Sequence, residues 1–180
     1  MPRFYPNAVT LTPGDVAVEN QLEAIRILAQ SNPPGRWAVK DSFNSLDLGR
    51  QGFDLLFEAN WIRNELADPA PVMSDIVWER GGKGDFPVDD PNFAMFTGRR
   101  GFAIVAGFTL YKADDVVGIS NVVAEAADAV AVWRSLALLA AKTFPRLPLV
   151  GYESGSELQG ALDAGFELGD PLRIWVSSRD

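Results

Sequence analysis

The 180-residue sequence contains neither cysteine nor histidine, and each absence excludes whole classes of site. Without cysteine the chain has no disulfide, no thiolate ligand for zinc and no cysteine nucleophile. Without histidine it has no Ser-His-Asp or Cys-His catalytic group and no imidazole ligand for a metal. A general base must therefore be a carboxylate, a tyrosine, a lysine or a water relay.

Positive charge and long apolar runs are also scarce. The chain carries 16 Lys and Arg against 24 Asp and Glu, which gives a net charge of −8. Nucleic acids and anionic membranes select basic surfaces, so we expect neither as a partner. No apolar run reaches the ~18 residues of a membrane span, and the first residues lack the apolar segment of a signal peptide. These features predict a cytoplasmic protein.

The remaining composition is that of a globular domain. Hydrophobic residues make up 47% of the chain and charged residues 22%, which is the usual balance of a soluble protein. A chain of this length can bury a core without disulfides or metals. We predict a single domain over residues 1–180, with an N-terminal helix and strand extension in 1–50 and the core in 50–180.

The N-terminal third predicts one helix and two strands. Thr12 suits the N-cap and Pro13 the first helical position, while the Asn-Pro-Pro-Gly run at 32–35 ends the helix. Residues 36–51 predict a strand and a loop. The stretch GFDLLFEANWI at 52–62 alternates apolar and polar residues, which predicts a half-buried strand. Its apolar face holds Phe53, Leu55, Phe57, Ala59 and Trp61.

The middle of the chain predicts a long loop followed by an antiparallel meander. Residues 64–92 are rich in Pro, Gly and Asp, and predict a surface connection with one short strand at 76–78. Three apolar runs then follow, joined by two turn signals. They predict strands at 93–97, 102–111 and 116–123.

The last third predicts two helices and three strands. An apolar segment at 128–144 predicts a largely buried helix, and PLVGYE predicts a buried strand. Ser154 and Glu157 form a capping box for a short helix that Gly165 ends in a left-handed turn. FELGDPLRIWV closes the chain as strand, turn and strand.

This order of elements resembles the C-terminal two-thirds of a Gcn5-related N-acetyltransferase (GNAT). The likeness is carried by GFDLLFEANWI, by DDVVGISNVV with the helix AVAVWRSLALLAAKTFP, and by PLVGYESGSELQGALDAGFELGDPLRIWV. It is to a divergent bacterial branch, mostly of undefined substrate, and it covers about residues 50–180. The resemblance implies an α/β (α+β) fold: a mixed, mostly antiparallel sheet flanked by helices.

The resemblance also implies a cofactor site, at the junction between the third meander strand and the helix. GNAT proteins bind the pyrophosphate of acetyl-CoA there with a Q/R-x-x-G-x-G/A loop. Residues 123–129 occupy that place but contain no Gln, Arg or Gly. Glu125 and Asp128 can satisfy the free amides of the helix, so we expect a junction capped by its own carboxylates more than by phosphate. The implied cofactor-binding residues are Asn121, Val122, Val123, Ala124, Ala126, Ala127 and Ala129.

Acyl transfer to an amine needs a base and often an acid. The candidates are Glu58, a base on the polar face of its strand, and Tyr152, an acid at the end of the strand beside the cofactor. The alternative interpretation of Glu58 is a solvated strand residue, and that of Tyr152 is a residue that only packs. The candidate substrate-binding residues are Trp61, Ser120 and Glu153; core packing, a polar strand face and helix entry are their alternatives.

Two hypotheses of function remain open. The first is a GNAT-like N-acetyltransferase that uses acetyl-CoA and no metal to acylate a small-molecule or protein amine. The second is a catalytically silent GNAT-fold protein that binds a small ligand or a protein partner, including a second copy of itself as a homodimer. The 123–129 loop favours the second hypothesis and the rest of the architecture favours the first.

Overall fold

The computed structural model describes residues 6–31, 35–65, 72–81, 90–124 and 129–178. Helices occupy α1 Asp15–Gln30, α2 Ala129–Thr143 and α3 Gly155–Asp163. The strands are β1 Ala8–Val9, β2 Ala38–Asp41, β3 Phe53–Asn64, β4 Val77–Arg80, β5 Phe93–Arg100, β6 Ala103–Ala113, β7 Val116–Ala124, β8 Leu149–Glu153 and β9 Glu167–Ser177. Helices α1 to α3 are too short or too polar to cross a membrane.

The chain forms two compact units, and the boundary between them falls within β3 and within β9. The first unit comprises Met1–Asn60 and Asp170–Asp180, and the second comprises Trp61–Gly169. Strand pairing is both parallel and antiparallel, so the predicted mixed, mostly antiparallel sheet with flanking helices is confirmed. The single domain over 1–180 stays a prediction.

In the first unit, α1 packs on a small sheet with the strand order β1-β2-β9-β3. Strand β2 pairs antiparallel with β9, with Val39 opposite Trp175. The buried carboxylate of Asp41 accepts a hydrogen bond from the amide of Leu46 at 2.9 Å, which fixes the loop after β2. The buried apolar cluster consists of Ile25, Trp37, Val39, Leu46, Leu48, Phe53 and Trp175.

In the second unit, the predicted meander is confirmed as strands β5 to β7. Strand β4 pairs antiparallel with β5, and helix α2 connects β7 to the parallel strand β8. The predicted buried helix is confirmed, because Trp133 and Leu136 of α2 are fully buried in the core. Residues 66–71 and 82–89 of the predicted long connection lie outside the described residues.

The end of α3 confirms a prediction made from local signals. Gly165 has a φ of 97°, its amide donates to the carbonyl of Leu162, and the amide of Phe166 donates to that of Ala161. These are the two hydrogen bonds of a Schellman motif. Phe166 is buried in the core of the second unit, and an apolar contact of this residue frequently accompanies the motif. Ser154 is the N-cap residue of α3, but its side chain makes no capping hydrogen bond.

The predicted closing hairpin is wrong, because residues 167–177 form the single strand β9. The Gly-Asp-Pro sequence that suggested a turn lies in an extended segment. A Cβ at Gly169 would lie 3.0 Å from the Cβ of Trp61, so this glycine permits a close approach of β3. Pro171 is exposed, where its missing amide is tolerated in a strand.

Two details of the N-terminal prediction are also wrong. Thr12 is not the N-cap: α1 begins at Asp15 after Gly14, whose φ of 103° makes the chain turn into the helix. Strand β3 is confirmed, but Leu55 and Phe57 are exposed, as are the residues that alternate with them. Alternation decides which side chains share a face, whereas burial needs a covering layer that the local sequence does not encode.

Candidate functional site

A β-bulge interrupts the pairing of β6 with β7. Thr109 pairs with Ser120 and Gly107 with Val123, so β7 has one more residue in this interval than β6. Asn121 lies in the bulge with a φ of 53°, the left-handed region that asparagine tolerates better than most residues. Bulges of this kind redirect side chains and often lie beside binding sites.

A polar cluster holds the bulge together. The hydroxyl of Thr109 donates to the carbonyl oxygen of Ser120 at 2.9 Å and lies 2.6 Å from the hydroxyl of Ser120. The side-chain amide of Asn121 donates to the Thr109 hydroxyl at 3.2 Å. The structure therefore brings together the candidates Ser120 and Asn121. It adds Thr109, which is 4% exposed and whose only sequence signal was a hydroxyl within an apolar strand.

The parallel strands β7 and β8 are joined by a short ladder. Val117 pairs with Leu149 and Gly118 with Val150, but the pairs end there while β7 continues to Ala124 and β8 to Glu153. Beyond the ladder, no pair of described residues joins the two strands, so the main-chain groups along their facing edges lie outside the ladder. An extended chain that contains amides can hydrogen-bond with such edges in the manner of an added strand.

The predicted cofactor-binding residues divide into three groups. Val122 is half-buried against the core, and Val123 is half-exposed beside the bulge. Ala124 ends β7 and Ala129 begins α2, so these residues delimit the junction. The remaining positions lie outside the described residues: they are Ala126 and Ala127, with the proposed capping carboxylates Glu125 and Asp128.

Two candidates from different predicted roles lie in contact. The rings of Trp61 and Tyr152 have centroids 5.7 Å apart and planes at 83°, an edge-to-face arrangement. Trp61 lies on β3 and Tyr152 on β8, and both side chains are half-buried. This geometry stabilises aromatic pairs and fixes the direction of both rings.

Glu153 has the most perturbed titration in the described chain. Burial raises the pKa of its carboxyl to about 7, and the negative charge of Glu157 adds to the effect. Glu157 Oε2 is itself enclosed and has no hydrogen-bond partner among the described residues. The sequence predicts substrate binding for Glu153 and helix capping for Glu157. In the sequence, the signal that Glu153 and Glu157 lie near each other is their spacing across the junction between a strand and a helix.

Glu58 lies in the first unit and Tyr152 in the second. The carboxylate of Glu58 accepts a hydrogen bond from Nε of Arg173 at 2.8 Å, and 56% of its side chain is exposed. Sequence reasoning did not connect Arg173 with Glu58, because the two residues lie on strands far apart in the chain. The catalytic role of Glu58 stays a prediction.

In the described part of the chain, no group of three or more acidic side chains is arranged to hold a metal ion.

The candidate site of the second unit consists of the bulge of β7, the facing edges of β7 and β8, the Trp61–Tyr152 pair and Glu153. It can bind an extended ligand through main-chain groups and exchange a proton near neutral pH.

Solved structures with a similar fold cover most of the chain. A functionally unknown conserved protein from Staphylococcus epidermidis aligns with a TM-score of 0.64 and 9% identity, over 96% of this chain and 84% of that one. A GCN5-related N-acetyltransferase from Kribbella flavida aligns with a TM-score of 0.62 and 13% identity, over 96% and 81%. A GCN5-related N-acetyltransferase from Sphaerobacter thermophilus aligns with a TM-score of 0.58 and 11% identity, over 90% and 66%.

These likenesses show that the chain has a GNAT-like fold, as the resemblance implied. No protein-family model and no curated protein matches the sequence. At these identities the structural comparisons concern the fold alone, so the activity must be argued from the site.

Proposed function

We propose that the chain is a GNAT-like N-acetyltransferase that moves an acyl group from acetyl-CoA to an amine. The observation that carries the proposal is the early end of the ladder between β7 and β8 beside a bulge. The pantetheine arm of CoA is a narrow chain with two amides. It suits the open main-chain edges beyond Gly118 and Val150.

The residues present fit acetyl-CoA at the strand edges. Asn121, Val122 and Val123 would hold the pantetheine arm through their main chain, and Ala124 and Ala129 would flank the pyrophosphate at the start of α2. Bound acetyl-CoA supplies an acyl group activated as a thioester. The facing edges of β7 and β8 orient the acyl group. The buried apolar side chains of the second unit limit the access of water from the side of the core.

We assign separate roles to the predicted side chains. The Tyr152 hydroxyl is the proton donor to the departing sulfur, and its contact with Trp61 keeps the ring in one orientation. Ser120, Trp61 and Glu153 contact the substrate, and the role of Glu58 as the base stays a prediction from the sequence alone. The substrate is a small-molecule or protein amine, and the protein functions in the cytoplasm.

The alternative is a catalytically silent protein that binds a small ligand or a protein partner, such as a second copy of itself. The composition of 123–129 favours it, because this stretch has none of the glycines that let a helix start approach a phosphate closely. Glu125 and Asp128 add negative charge that a pyrophosphate would meet.

Calorimetric titration with acetyl-CoA tests the proposal, with desulfo-CoA and free adenosine diphosphate as comparisons. We expect a micromolar Kd for acetyl-CoA, which is about −8 kcal/mol. Adenosine diphosphate, which lacks the pantetheine arm, should bind far more weakly. No heat and no thermal shift with millimolar acetyl-CoA would overturn the transferase and favour the silent protein.

A pair of double variants tests whether the junction carboxylates repel the cofactor. Asp128→Gly with Glu125→Gln should strengthen CoA binding, because two negative charges leave the phosphate site. Asp114→Gly with Asp115→Asn makes the same charge change in the turn between β6 and β7, where Asp114 already has a φ of 50°. Equal affinities for the two double variants would contradict the repulsion.

A further inference from the structure

The sheet of the first unit ends at β3, and residues 54–58 of that strand, which we call the β3 edge, form its border. The next strand in the order, β8, has five residues against the twelve of β3. Its Tyr152 contacts Trp61, so β8 lies beside the later part of β3. Outside the strand ladders, no main-chain hydrogen bond between described residues involves 54–58. The β3 edge is therefore the border strand of its sheet.

Both faces of the β3 edge carry exposed apolar side chains. Leu55 and Phe57 share one face and are 45% and 40% exposed, and Leu56 on the other face is 52% exposed. The flanking residues Phe53 and Ala59 are buried, so the exposed stretch is anchored at both ends. Proteins usually cover or charge an apolar edge strand, because it pairs with other chains. Three consecutive exposed apolar residues on such an edge indicate an interaction surface.

A carboxylate stands at each end of the β3 edge. Asp54 and Glu58 share the face of Leu56 and lie about 13 Å apart along the strand. One oxygen of Glu58, Oε1, accepts a hydrogen bond from Nε of Arg173 at 2.8 Å. Asp54 has no hydrogen bond or ion pair with another described residue. This face therefore has uncompensated negative charge, which favours a basic side chain in a partner.

A second copy of the chain fits the β3 edge poorly. Two copies related by a two-fold axis would pair these edges antiparallel. The register that sets Leu55 of one copy opposite Phe57 of the other also sets Asp54 opposite Glu58 twice, and like charges directly opposite each other destabilise paired strands. Moving the centre by one residue in either direction sets Leu56 opposite a carboxylate instead. The edge is complementary to a sequence other than its own.

We propose that the β3 edge binds an extended segment of another protein as an added strand. Three consecutive apolar residues of the segment lie opposite Leu55, Leu56 and Phe57, and a basic residue at each end lies opposite Asp54 or Glu58. The main-chain hydrogen bonds of an added strand supply affinity, and the side chains opposite the edge select the sequence. The inference goes beyond the proposed function, because the strand edges that carry that function lie in the second unit.

The first test titrates the protein with the capped peptide acetyl-Lys-Val-Leu-Val-Lys-amide, whose sequence reads the same in both directions. Amide NMR signals of residues 54–58 should shift on binding. Two control peptides should each bind at least about tenfold more weakly: Glu-Val-Leu-Val-Glu, which has the opposite charge, and the lysine peptide N-methylated at its three central residues, which lacks their main-chain donors. Equal binding of either control would overturn the proposal.

Hydrogen exchange tests whether the peptide binds as a strand. Successive amides of a strand point to opposite edges, so every second amide of residues 54–58 should exchange quickly in the free protein. Saturation with the lysine peptide should slow the exchange of these amides and leave the alternate ones unchanged. A bound peptide that leaves the fast amides unprotected would contact side chains alone and would overturn the added strand.

A matched pair of charge-reversal variants tests the selection for a basic partner. Asp54→Lys should weaken binding of the lysine peptide about tenfold and make the protein prefer the glutamate peptide. Glu19→Lys makes the same change in net charge at an exposed position of α1 and should bind as the natural protein does. Equal affinities of the two variants for the lysine peptide would contradict the role of Asp54.

Sedimentation equilibrium distinguishes the two kinds of occupant. We expect the natural protein and Leu56→Lys to have the same mass in solution, and Leu56→Lys to lose the lysine peptide. A natural protein that is a dimer and that Leu56→Lys converts to a monomer would show that a second copy occupies the β3 edge, and the proposed partner would be wrong.

Discussion

Asn121 holds the left-handed conformation at the bulge of β7 while its side chain donates to Thr109. Glycine adopts this conformation without strain, whereas a β-branched residue does not. Asn121→Gly should therefore change the free energy of unfolding by less than about 1 kcal/mol, and Asn121→Val should lower it by about 1–2 kcal/mol. Urea unfolding of the three proteins measures both changes. Equal stabilities for the Gly and Val variants would show that β7 reaches the same bulge without a left-handed residue.

Glu153 makes stability depend on pH in a direction set by its burial. Its pKa is about 7 in the folded protein against 4.5 ordinarily, so the folded state binds more protons between these values. The stability due to this group is complete below the lower value and is lost as the pH rises through the higher one. Glu153→Gln should gain about 1–3 kcal/mol over the natural protein between about pH 4 and pH 8.

The exposed Glu167 supplies the control for this measurement. Glu167→Gln removes the same charge, and its stability should follow the pH profile of the natural protein. Chemical unfolding at a series of pH values gives the three curves. Parallel curves for Glu153→Gln and the natural protein would mean that the Glu153 carboxyl titrates alike in the folded and unfolded states.

Among the elements, α2 and α3 approach each other at a glycine. A Cβ at Gly160 would lie 2.9 Å from the Cβ of Ala129 and 3.3 Å from Cδ1 of Trp133, whose side chain is fully buried. Gly160→Ala should therefore destabilise the protein by about 1–3 kcal/mol through overpacking, although alanine favours helix more than glycine does.

The exposed neighbour Gln159 gives a matched comparison on the same helix. Gln159→Ala removes one hydrogen bond to Asp163 and should change stability by less than about 0.5 kcal/mol. Thermal unfolding of Gly160→Ala and Gln159→Ala measures the loss of stability that each substitution causes. A more stable Gly160→Ala variant would mean that α3 can shift away from α2 without loss.

The elements also show which information the sequence holds locally. The end of α3 was predictable because the signals of a Schellman motif lie within a few residues, from Ala161 to Phe166. The single strand β9 was not, because Gly169 is needed for its approach to Trp61, more than a hundred residues earlier. For the same reason the sequence predicted that Glu153 lies at a site but not its raised pKa, which depends on burial by the folded chain.

For the whole molecule, the single-domain prediction has a measurable consequence. Leu48 is fully buried in the first unit and Leu136 in the second. Replacing either leucine by alanine should cost about 2–5 kcal/mol. If the chain unfolds in one cooperative step, each variant should lower the protection of the slowest-exchanging amides in both units by the same amount.

Native-state hydrogen exchange of the two variants makes this measurement. A Leu48→Ala variant that lowers protection in the first unit alone, with Leu136→Ala confined to the second, would show two units that open independently. The exposed Leu168 is the control position, since Leu168→Ala removes the same atoms where little burial is lost.

The hairpin between β5 and β6 places Phe102 at its tip with its side chain entirely in solvent. Because the chain has no cysteine, Phe102→Cys would create a single thiol at a position where no packing is lost. A fluorophore attached there would report on one known point of the second unit. Energy transfer to it from the tryptophans of that unit would follow ligand entry beside β7 in real time.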